Sequence, residues 1–152
     1  MGWWGHGVMD GDDASDAKFT LLSRAFGGEV KPNNFGEWIA DEIEDNMIDE
    51  TLTRSDRSLI NAYVQENVNV ICKGALEEAR ESWHYGGTAF LVATAYELVT
   101  RYGVKALPKE MKKELTDAFA VELHEAEEFD VPGTRRRCIN HAKAKIAKTR
   151  TL

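Results

Sequence analysis

Proline is scarce in this chain, with only Pro32, Pro108 and Pro132, and each falls in a turn or at the start of a helical pattern. Cysteine is scarcer still. Cys72 and Cys138 are far apart and both lie in helical patterns, so buried, reduced thiols and a cytoplasmic location are expected. No stretch approaches the ~20 apolar residues of a membrane span. The first residues have neither a basic region nor a following apolar run, so no secretory signal and no membrane partner are expected. Catalytic signatures are missing as well: there is no Gly-x-Ser-x-Gly, no phosphate loop and no Cys–His pair readable from spacing. Internal repeats, heptads and low-complexity linkers are absent. Strand alternation begins once, at Val68-Asn69-Val70, and the apolar Ile71 ends it.

What is present suits a folded helical protein. The 152 residues, 43% hydrophobic and 30% charged, predict one domain over 1–152 that buries roughly two-thirds of its unfolded surface. The formal net charge of −7 is uneven. Residues 133–152 hold seven basic side chains and no acidic one, whereas the other 132 residues hold 12 basic and 26 acidic. This pattern means either that a basic last helix docks on an acidic body or is simply solvated, or that it touches an anionic partner.

Hydrophobic periodicity predicts about six helices and an all-α fold. Asp12 or Asp13 caps the first, which carries Phe19, Leu22 and Phe26 and stops at Gly27-Gly28. Asn34 opens the second. It has Phe35, Trp38, Ile39, Ile43 and Met47 on one face and Asp41, Glu42, Glu44, Asp45, Asp49 and Glu50 on the other, and it ends near Thr53. The third starts at Ser55 or Asp56 and continues through Gly74, a kink or close-packing point, to Ser82. Residues Thr88 to Tyr102 form the most apolar helix, expected at the centre of the core and closed by Gly103. Pro108 starts the fifth helix, striped by Met111, Leu115, Ala118, Phe119 and Leu123, with Glu122, Glu125, Glu127 and Glu128 in or after its last turns. Thr134 caps the sixth, with Ile139, Ala142 and Ile146 on its apolar side.

The opening MGWWGHGVMDGDDASD is the most unusual stretch. Met1, Gly2, Trp4, Gly5, Gly7, Asp12, Asp13, Ala14 and Asp16 resemble the start of a mostly bacterial family designated domain of unknown function 4259. Its members begin Met-Gly-x-Trp-Gly-x-Gly and continue to Asp-Asp-Ala-x-Asp. The resemblance covers sixteen residues, with a looser echo at Tyr102-Gly103 and Leu107-Pro108, and Trp3 departs from the small residue the pattern has there. It implies an α-helical domain and supplies no reaction and no site residues.

Within this Gly/Trp loop, 1–13, Trp4 is expected to plug the core and the aspartates to cap a helix. Trp3 and His6 are left as candidates for a partner surface, tryptophan being enriched at interface hot spots. A calcium loop counted from Asp10 fails at Ala14, Ser15 and Leu21, so no metal is expected there. His124-Glu125 lacks the second histidine of a zinc-protease helix, because Glu128 stands in its place. Trp83 and His84 enter the central helix through Gly86-Gly87, a reasonable place for a site. The acidic face with Asp41, Glu44 and Asp45 offers another, and Arg135, Arg136 and Arg137 offer a nucleic-acid contact. The expectation is a non-enzymatic protein-binding module without cofactor, bacterial or phage-borne, an accessory protein of inhibitor, immunity or counter-defence type acting on a protein partner through the acidic face. Alternatives are a small metal-dependent hydrolase built on helix-borne carboxylates and histidine, and nucleic-acid binding through the basic last helix.

Overall fold

The computed structural model describes residues 54–81, 87–129 and 133–152. The first two expected helices and the Gly/Trp loop lie outside them. Among the described residues the fold is all-α, with five helices and one two-residue parallel bridge.

Helix α1, Arg54–Glu66, and helix α2, Val68–Glu81, replace the single long helix expected over this stretch. Asn67 divides them. Its side-chain amide donates to Tyr63 O at 2.8 Å, the same carbonyl its own backbone N–H reaches at 3.1 Å. The apolar spacing runs on across Asn67, so periodicity does not reveal the break. The face of α2 that turns inward carries Val68, Ile71, Cys72, Gly74, Ala75 and Leu76.

Helix α3, Gly87–Thr100, packs against α2 and two later helices. Buried residues occur around its whole circumference, Phe90 to Ala95 and Leu98 among them, so the expectation of a central helix holds. Gly103 ends it in the left-handed region, φ 64°, and Val104 N–H closes back onto Leu98 O at 3.0 Å.

Strand β1, Ala106–Leu107, leads through Pro108 into helix α4, Lys109–Phe129. Helix α5, Thr134–Ala147, follows, and then strand β2, Arg150–Thr151. The strands pair in parallel, with Ala106 opposite Arg150 and Leu107 opposite Thr151. No alternation in the sequence announced a two-residue bridge. It is fixed by Arg150 N–H to Lys105 O at 2.9 Å and Leu152 N–H to Leu107 O at 3.0 Å. The α5 cap also differs from expectation: Gly133, φ 74°, is the N-cap residue with no side-chain cap bond, and Thr134 is already helical.

Candidate binding surface

The buried stripe of α4 runs Met111, Leu115, Ala118, Phe119, Glu122, Ala126, and that of α5 runs Arg135, Ile139, Ala142, Ile146. Both keep helical spacing. Each therefore places one charged residue where the period demands an apolar one. Glu122 is 1% exposed and Arg135 3%. Arg135 Nη2 lies 3.8 Å from Glu122 Oε2, an ion pair rather than a hydrogen bond. Thr88 in the first turn of α3 donates its hydroxyl to Glu122 Oε1 at 2.6 Å. Side chains from the first turns of two helices thus meet one carboxylate, and helix N-termini favour negative charge. The cluster ties α3, α4 and α5 together beneath the surface.

Arg135, Arg136 and Arg137 consequently do not share a face. Arg135 is spent inside the fold and is removed from the set expected to touch nucleic acid. Arg136 and Arg137 are exposed, Arg136 lying 4.0 Å from Glu127. His124 stands exposed on α4, its Nε2 3.3 Å from Glu128. Trp3, His6, Asp41, Glu44, Asp45, Trp83 and His84 lie outside the described residues. Both cysteines are free: Cys72 is buried, as expected, and Cys138 is half-buried. Among the described residues, no group of three or more His, Cys, Asp and Glu is placed to hold a metal ion. No helix among them is long and apolar enough to cross a membrane.

The described residues also form a groove that the spacing did not single out. The Glu122–Arg135 contact joins the late part of α4 to the start of α5, so the two helices run antiparallel. Between the early part of α4 and the late part of α5 lies an open groove of about 440 Å³. Leu115, Phe119 and Ile146 of the buried core lie beneath it, and Lys109, Lys112, Lys113 and Lys143 line its rim. Lys112 is committed inside the fold, its ammonium donating to Thr149 O at 2.6 Å. Lys109, Lys113 and Lys143 are exposed, and none forms an ion pair with a described residue. Lys109 and Lys113 are one turn apart, a like-charge spacing that costs a few tenths of a kcal/mol.

The division of charge along the chain sharpens this picture. Residues 1–53 carry 12 acidic and three basic side chains, whereas residues 54–152 carry 14 and 16. The acidity therefore belongs to the part before α1. Around the groove, stretches 105–113 and 143–150 hold eight cations and one acid, Glu110, which bonds Arg80 at 2.8 Å. The signal for this site was available as the run of lysines at the start of α4, but only the packing of α5 beside it adds Lys143.

These features define an all-α scaffold with a cationic groove. No family model, curated protein or solved structure matches the chain.

Proposed function

We propose that this protein is a binding module that acts by holding another protein, and that the groove between α4 and α5 is where it does so. The observation that carries the reading is the set of three exposed lysines, Lys109, Lys113 and Lys143, around one groove, none of them in an ion pair with a described residue. Cations without partners on an exposed surface steer an oppositely charged partner and fix its orientation. Beneath them Leu115, Phe119 and Ile146 belong to the buried core, so the contact this groove offers a partner is chiefly electrostatic. The acidic face with Asp41, Glu44 and Asp45 belongs to the same reading as a second surface. The resemblance of the opening residues to domain of unknown function 4259 is compatible with an accessory protein of this kind.

Lysine acetylation in an extract of producing cells tests the proposal. The protein is expected to elute above its own mass, with Lys109, Lys113 and Lys143 protected relative to Lys73 on α2. Elution as a free chain with all four lysines equally labelled would overturn the reading.

A further inference from the structure

We draw no further inference here: the strongest candidate, the cluster of exposed lysines Lys109, Lys113 and Lys143 around the groove between α4 and α5, belongs to the surface already described, and nothing in the structure shows what covers it.

Discussion

Glu122 and Arg135 illustrate how far one residue's role depends on what faces it. A glutamate near the end of an acidic helix and an arginine in a basic run both read as surface charge. Packed together, they are the most deeply buried charges of the described core. Removing one partner of such a pair leaves the other charge stranded at a cost of roughly 3–5 kcal/mol, whereas replacing both by apolar residues of similar size is far less harmful. Urea denaturation should therefore find Glu122→Gln and Arg135→Met each strongly destabilised, and Glu122→Leu/Arg135→Met more stable than either single variant. Additive losses would show that the two residues are not coupled. Cys72 offers a second residue-scale prediction. Burial pushes its thiol up to about 12, from 9.0 for an exposed cysteine. The unfolded chain releases this proton first as pH rises, so the contribution to stability is whole below pH 9.0 and is lost towards pH 12. The difference in urea midpoint between the native chain and Cys72→Ala should narrow across that interval, and a constant difference would contradict the assignment.

At the scale of elements, the boundaries are set by single backbone features. Gly103 closes α3 at φ 64°, and a Cβ there would meet nothing within 4 Å. Gly103→Ala is accordingly a pure test of backbone strain, with an expected loss of about 1 kcal/mol, and Gly103→Asn should lose less. An unchanged Ala variant would mean that the left-handed cap does not persist. The bridge between β1 and β2 is held from the side by Lys112 on Thr149 O and by the Thr149 hydroxyl on Ile146 O. In Lys112→Met, hydrogen exchange at the amides of Arg150 and Leu152 should accelerate while the amides of α3 keep their protection. Uniform acceleration would place the effect on global stability instead. The helices themselves were readable because their apolar stripes are long: Met111 to Phe119 on α4 and Ile139 to Ile146 on α5 follow the helical period. The bridge was not, since two residues are too few for alternation, and the division at Asn67 was not, because it leaves the apolar spacing intact.

For the whole molecule, charge is distributed so that the part before Arg54 is strongly acidic and the part after it slightly basic. The groove concentrates the cations of that second part where two helices meet. The proposed association through it should weaken with added salt, because exposed charges are screened beyond about 8 Å at physiological ionic strength. Raising sodium chloride should slow the association rate more than it speeds dissociation, as steering charges act on encounter. A salt-independent rate would remove the lysines from the mechanism.

The helical class, the central position of α3 and the glycine stop at its end were legible in the order of residues, because these follow from local period and from the conformational freedom of one residue. So was the abundance of cations near the end of the chain. Which of them face solvent was settled by how the helices pack. Arg135 is drawn inside by Glu122, Lys112 is taken by Thr149, and Lys109, Lys113 and Lys143 are left exposed around one groove. That choice depends on contacts between residues more than ten positions apart, and no local spacing records it.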